Sequence, residues 1–155
     1  GKTTFARALA LQLSFEHIES DAIRRTLSAN PNYSPAESGA VFARVESLAR
    51  AALSSGGHAV IDATNLTNRD RKRFVTIASD LGAPLLAIRI TAPEAVIRRR
   101  LRDPREGFSQ AGIEIFERMK DRPQPFPFRC IVVDSRFDLT PALDLTCRLV
   151  DDRER

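Results

Sequence analysis

The sequence predicts an α/β fold: a mainly parallel sheet covered by helices on both faces, three layers in a single domain. Three observations carry this. Apolar residues recur at helix spacing and at strand spacing in alternation from end to end. Three of the strand-like runs are each followed by an aspartate, Asp21, Asp62 and Asp134, where sheets of this kind collect their ligands. The chain has 155 residues, enough for one proper core, with no internal repeat and no linker long enough to divide it.

Residues 3–13 place Phe5, Leu9 and Leu13 on one helical face. A short strand follows at 15–19, weakened by Glu16, His17 and Glu19, which suit a buried strand poorly. Residues 21–28 read as helix, and NPNYSP as loop. A long amphipathic helix at 36–55 turns Val41, Val45, Leu48 and Ala52 inward and stops at Gly56 and Gly57. HAVID is a strand. Residues 68–81 form a helix with Phe74, Ile77, Ala78 and Leu81 inward, ended by Gly82. PLLAIRIT is the clearest strand. Thr91 and Glu94 have the spacing of a capping box and open the next helix, which carries Arg98, Arg99, Arg100 and Arg102. DPREGF reads as loop, 109–120 as helix, RPQPFPF as a proline-punctuated connection and CIVVD as a buried strand. Thr140 and Pro141 open the last helix, which runs through Leu143 and Val150. DDRER is a polar tail expected to fray.

No apolar run approaches the ~20 residues that span a bilayer. Cys130 and Cys147 lack metal-ligand spacing and read as reduced core thiols, which with two histidines argues against a zinc site and for a cytoplasmic setting. The net charge of +4 admits a polyanionic partner. Only Lys2, Lys72 and Lys120 are lysines among the 24 basic residues, however, and an arginine bias in an alanine-rich chain also fits a GC-rich genome.

The chemistry begins at GKTT. A phosphate loop has the pattern G-x-x-x-x-G-K-[ST] between a strand and a helix, and Gly1, Lys2 and Thr3 supply its last three positions. In such a loop Lys2 reaches the β and γ phosphates and the Thr3 hydroxyl binds Mg²⁺, with Gly1 and Thr4 also at the nucleotide. The plain alternative is a helix start with a solvated lysine. In ESDAIRRTL, Asp21 follows a strand and Arg24 stands one turn later on the same face. Asp21 is placed to accept a proton from an attacking hydroxyl, and Arg24 to hold an anionic acceptor group. A helix cap paired with Arg24 or Arg25 would have the same look. In AVIDATNLTNRDRKRF, Asp62 ends an apolar run as Mg²⁺-binding aspartates do, and Thr64 and Asn65 add polar side chains at the strand exit. Arg69, Arg71, Lys72 and Arg73 read mostly as a solvated face. Finally, Arg98 and Arg102 share one helical face ahead of a loop, as a mobile lid at about 98–110 would require, with Arg105 as a fallback.

These four pieces, in this order, resemble the P-loop kinases of the polynucleotide 5′-hydroxyl kinase-like and toxin-kinase-like group, over residues 1–135. Asp-x-Thr-Asn-Leu is the most specific match. The resemblance implies a nucleotide-kinase-like P-loop NTPase sandwich that uses ATP and Mg²⁺. Lys2 and Thr3 would bind phosphate and metal, and Asp21 would be the general base. Arg24 would contact an acceptor phosphate, and Asp62 would position Arg24 or the metal's water. Arg98 and Arg102 would stabilise the moving phosphoryl group, and Asp134 with Ser135 would lie near the adenine. The acceptor would be a nucleic-acid 5′-hydroxyl end, a small molecule or a nucleotide-sugar. A nucleotide-binding module without catalysis is the non-enzyme reading. The resemblance also implies that a central strand and the first half of the loop precede Gly1. A slot is then expected between the strand ending at Asp62 and the strand LLAIRI, with Gly1 near its carboxyl end.

Overall fold

The computed structural model describes residues 1–102 and 112–154. Helices and strands alternate in it: α1 Lys2–Leu13, β1 Glu16–Glu19, α2 Ser20–Leu27, α3 Pro35–Ser54, β2 Ala59–Asp62, α4 Asn68–Asp80, β3 Ile88–Thr91, α5 Glu94–Arg102, α6 Ile113–Met119, β4 Ile131–Asp134 and α7 Thr140–Glu154.

All strand pairing is parallel. β1 lies beside β2 with Glu19 opposite Asp62, and β3 beside β4 with Thr91 opposite Asp134. Where the slot is expected, no ladder joins β2 to β3 among the described residues. Side chains join the two pairs instead. Phe5 and Leu9 of α1 and Leu143 of α7 form a cluster with Val133, and Val60 from β2 packs on it together with Ile88 and Ile90 from β3. The neighbouring Ile61 goes the other way. It packs on a second cluster of Ile18, Val41, Val45, Ala49, Phe74 and Ile77, built by α3 and α4. Successive strand residues face opposite sides, so the two clusters are the two faces of the sheet and the architecture has three layers. Val41 and Val45 are fully buried, each contributing ~1.5–3 kcal/mol of hydrophobic stabilisation.

Several expectations need correction. Of PLLAIRIT only the second half, β3, is strand. Thr91 does not cap α5. It ends β3, and its hydroxyl donates to the Val133 carbonyl at 3.2 Å, while the Pro93 carbonyl accepts from Val96 and Ile97 in the first turn. The capping box lies on α4, between Thr67 and Asp70. Leu81 follows the last turn of α4 and is 39% exposed, outside the apolar stripe. α7 continues through residues 151–154, because extending a formed helix needs no new nucleus and the polar tail holds no breaker. The two thiols are free and only half-buried. Cys147 donates to Gln12 Oε1 at 3.3 Å, and burial pushes its thiol up. Residues 103–110 of the expected lid, with Arg105, lie outside the described residues. Among the described residues no helix is long and apolar enough to cross a membrane.

Candidate active site

The parallel register aligns the carboxyl ends of β1 with β2 and of β3 with β4, and Gly1, Lys2 and Asp62 lie at these ends. Gly1 is the N-cap of α1. A Cβ at that position would stand 2.6 Å from Ser135 Cβ and 2.9 Å from Ser135 Oγ, so only glycine allows the approach of α1 to the end of β4. The first turn of α1 contains Lys2, Thr3 and Thr4 and no acidic residue. Its N–H groups lack intrahelical partners and its dipole is uncompensated, which suits an anion.

Asp62 ends β2 and is 1% exposed. Lys2 Nζ donates to Asp62 Oδ1. Asp62 Oδ2 lies 3.4 Å from His17 Nε2, and neither atom has a hydrogen-bond partner among the described residues. Glu19, buried beside it, faces Arg7 at 3.9 Å. Burial, and next the Asp62 charge, push the Glu19 carboxyl above its ordinary range. A buried aspartate with one unengaged oxygen, next to the Thr3 turn, fits a divalent cation.

Asp21 and Arg24 occupy successive turns of α2. Arg24 Nε stands 4.0 Å from Asp21 Oδ1 and has no hydrogen-bond partner. The carboxylate that positions Arg24 is Glu37, not Asp62: Arg24 Nη1 donates to Glu37 Oε1. The guanidinium also lies 4.3 Å from the centroid of the Tyr33 ring, leaving Arg24 6% exposed. Tyr33 holds φ 55°, a left-handed backbone that a tyrosine rarely adopts. Glu37 fixes this loop by accepting from the N–H groups of Asn32, at 2.7 Å, and Tyr33, at 3.3 Å. Burial opposes the charge on Glu37, but these bonds and Arg24 together hold its carboxyl below the ordinary range.

The lid arginines are arranged differently from the expectation. Arg98 donates to Glu94 at 2.7 Å and 2.5 Å and pairs with Glu117, and Arg102 is exposed. Arg100, expected to be solvated, reaches Ser135 just after β4. Its Nη1 donates to Ser135 Oγ at 2.9 Å and its Nη2 to the Ser135 carbonyl at 2.7 Å, against the face that Gly1 touches.

The loop after β2 is held by Arg71, also expected to be solvated and in fact 6% exposed. Nε donates to the Asn65 carbonyl at 2.9 Å. Nη1 donates to Asn68 Oδ1 at 3.0 Å and the Pro125 carbonyl at 2.9 Å. Nη2 donates to the carbonyls of Leu66 at 3.0 Å and Gln124 at 2.8 Å. The Phe126 ring centroid lies 3.9 Å from its guanidinium carbon. Asn65 is thereby fixed through its backbone, while its Oδ1 is buried without a hydrogen-bond partner. Arg71 stands three residues before Phe74, on the inward stripe of α4, and that register is the signal that finds it. Glu37 carries a weaker signal, the Ser-x-x-Glu spacing after the NPNYSP loop.

The AAA domain family model matches residues 1–126, and the chain belongs to that family. A search of curated proteins finds no match. Among solved structures, the chain is similar to the APS kinase of Mycobacterium tuberculosis in complex with AMPPNP and APS, at 16% identity and TM-score 0.73, covering 97% of this chain and 91% of the other. It is similar to a gluconokinase of Sinorhizobium meliloti 1021, at 18% identity and TM-score 0.71, covering 99% and 89%. It is also similar to a sugar kinase of Janibacter sp. HTCC2649, at 17% identity and TM-score 0.70, covering 96% and 87%. These likenesses establish a kinase-like P-loop NTPase fold with parallel strands.

Proposed function

We propose that this AAA-domain protein is an ATP-dependent kinase that transfers the γ-phosphate to the hydroxyl of a small molecule uncharged near that hydroxyl, a sugar or other polyol. The observation that carries the acceptor class is the enclosure of Arg24. The cation that would take an acceptor phosphate is already neutralised by Glu37 and covered by Tyr33. An anionic acceptor such as a polynucleotide end would have to displace both. The polynucleotide reading rests on the motif order alone, whereas two of the similar folds are sugar-type kinases by name.

Each residue has a task in this reading. Gly1, Lys2, Thr3 and Thr4, at the positive end of α1, bind the nucleotide phosphates. Thr3 and Asp62 would hold Mg²⁺, which supplies charge neutralisation at the phosphates. Asp21 accepts the hydroxyl proton. Asn65, fixed by Arg71, contacts the acceptor. Arg100 is the lid cation nearest the α1 start, and Arg98 and Arg102 belong to the outer lid.

The test is transfer from γ-labelled ATP to a panel of neutral sugars and polyols beside 5′-hydroxyl DNA and RNA. Labelling of a neutral acceptor alone is expected. Labelling of the polynucleotides alone would overturn the acceptor class, and labelling of nothing, with ATP bound, would favour a non-catalytic module.

A further inference from the structure

Two buried carboxylates and an imidazole meet at the ends of β1 and β2. His17 and Glu19 are two apart on β1 and so share a face, and Glu19 is the register partner of Asp62. One ligand atom from each lies within 4.8 Å of the others. In this state the charge is met by the Lys2 ammonium on Asp62 Oδ1 and by Arg7 beside Glu19. The balance is incomplete: Asp62 Oδ2 and His17 Nε2, both buried, face each other across 3.4 Å without a hydrogen bond. Two ligands ~2.1 Å from a tetrahedral metal stand about 3.4 Å apart.

We propose that His17, Glu19 and Asp62 form a binding site for a borderline divalent cation of the Co²⁺ or Zn²⁺ type, filled when Lys2 leaves Asp62. The departure of Lys2 rests on the reading above, in which its ammonium moves to a nucleotide phosphate. Without Lys2 the buried Asp62 loses its closest cation while Glu19 keeps Arg7 no closer than 3.9 Å, a state that is costly unless a proton or a metal ion replaces Lys2. The imidazole decides which ion. An imidazole nitrogen suits Zn²⁺ and Co²⁺, whereas Mg²⁺ and Mn²⁺ favour oxygen ligands and water. Lys2 and the metal therefore compete for one carboxylate, and occupancy of the phosphate loop sets the affinity of the metal site.

The experiment is a Co²⁺ titration without nucleotide, read by the visible d–d absorption of the bound ion and by displacement with Zn²⁺. The proteins are wild type, Lys2→Met, and Lys2→Met combined with His17→Gln or with Glu19→Gln, each checked for an unchanged thermal transition. Lys2→Met is expected to bind Co²⁺ at least tenfold more tightly than wild type, and either second substitution to lose at least tenfold again with a changed spectrum. Equal affinity in wild type and Lys2→Met overturns the competition. A spectrum indifferent to His17→Gln overturns the site. Because no nucleotide is present, a failed metal site leaves the kinase reading standing. If the site forms in Lys2→Met while wild type binds no ATP, the metal site stands and the phosphate-loop reading falls.

Discussion

Replacing Arg71 by methionine keeps an apolar stem in place of the aliphatic part of the side chain and removes all five N–H donors. Hydrogen bonds to a charged group are worth ~1.5–3 kcal/mol each, which sets a gross ceiling of about 7–15 kcal/mol for the five. The net loss is smaller. Four of the acceptors are loop carbonyls that water reaches once the clamp opens. Holding the guanidinium out of water is itself costly, as the burial-lowered basicity of Arg71 indicates. A buried acceptor left unsatisfied costs about 1–3 kcal/mol; with water satisfying most of the five, about 3–5 kcal/mol is the expected loss in urea-unfolding stability with an unchanged m-value. At ~2–4 °C per kcal/mol for a domain of this size, the melting temperature falls by about 6–20 °C. Arg71→Lys restores little, since an ammonium on a flexible stem has no planar fork to reach Asn65, Leu66, Gln124 and Pro125 together. A loss under ~1 kcal/mol for Arg71→Met, or wild-type stability for Arg71→Lys, would refute the clamp.

Asp21→Asn is expected to leave ATP binding intact and to lower transfer by about 10²–10⁴, the usual contribution of a general base; parallel loss of ATP affinity in a calorimetric titration would instead make Asp21 structural. Arg100→Ala should lower kcat well beyond the effect of Arg98→Ala, because only Arg100 reaches Ser135 beside Gly1. Steady-state kinetics showing the reverse would return the role to Arg98. The Glu37 carboxyl is held below its ordinary 4.5 in the folded protein, so its contribution to stability is present above that pH and is lost as pH falls through the folded value. The stability gap between wild type and Glu37→Gln should therefore be flat from neutral pH down to about 4.5 and close below it. A gap that does not narrow as urea titrations are carried below pH 4.5 would contradict the Arg24–Glu37 latch.

Helix spacing revealed α1, α3 and α4 with their inward faces, because each buries a continuous stripe: Phe5 with Leu9, Val41 with Val45, Phe74 with Ile77. Strand ends at Asp62 and Asp134 were also legible, since a polar residue closing an apolar run marks the sheet's edge. What sequence could not resolve was which arginine goes where. Arg98, Arg100 and Arg102 share one helix, and helical spacing says only that Arg98 and Arg102 lie together. Their destinations are set by Glu94 and Glu117 on one side and by Ser135 on the other, and those are tertiary partners. Arg24 with Glu37 is the same case. The i, i+3 spacing to Asp21 is visible in sequence, yet the stronger partner comes from another helix across a loop. The capping box was assigned to Thr91 because spacing alone does not tell a strand end from a helix start. Thr67 and Asp70 carry the same spacing with an aspartate in place of the glutamate.

The cations at the site differ in how they are engaged, and this orders their roles. Lys2 sits on Asp62 and Arg24 on Glu37, each against a full carboxylate charge, whereas Arg100 is held by a hydroxyl and a carbonyl. An arriving phosphate draws Lys2 away only by leaving Asp62 with an unmatched buried charge, and it draws Arg24 away only by freeing Glu37 and the Tyr33 loop. Taking Arg100 strands no carboxylate, since Asp134, the opposite charge near it, stays paired with Arg136 at 2.7 Å. In the proposed reading the nucleotide's phosphates therefore meet one cation at small electrostatic cost, Arg100. They meet a second, Lys2, whose release has to be compensated at Asp62 by a metal ion or a proton. Arg24 remains shut unless the acceptor brings an anion able to displace Glu37. Phosphate binding, metal uptake and acceptor charge are in this way coupled through three carboxylates, Asp62, Glu19 and Glu37, and the enclosure of Arg24 favours an uncharged acceptor.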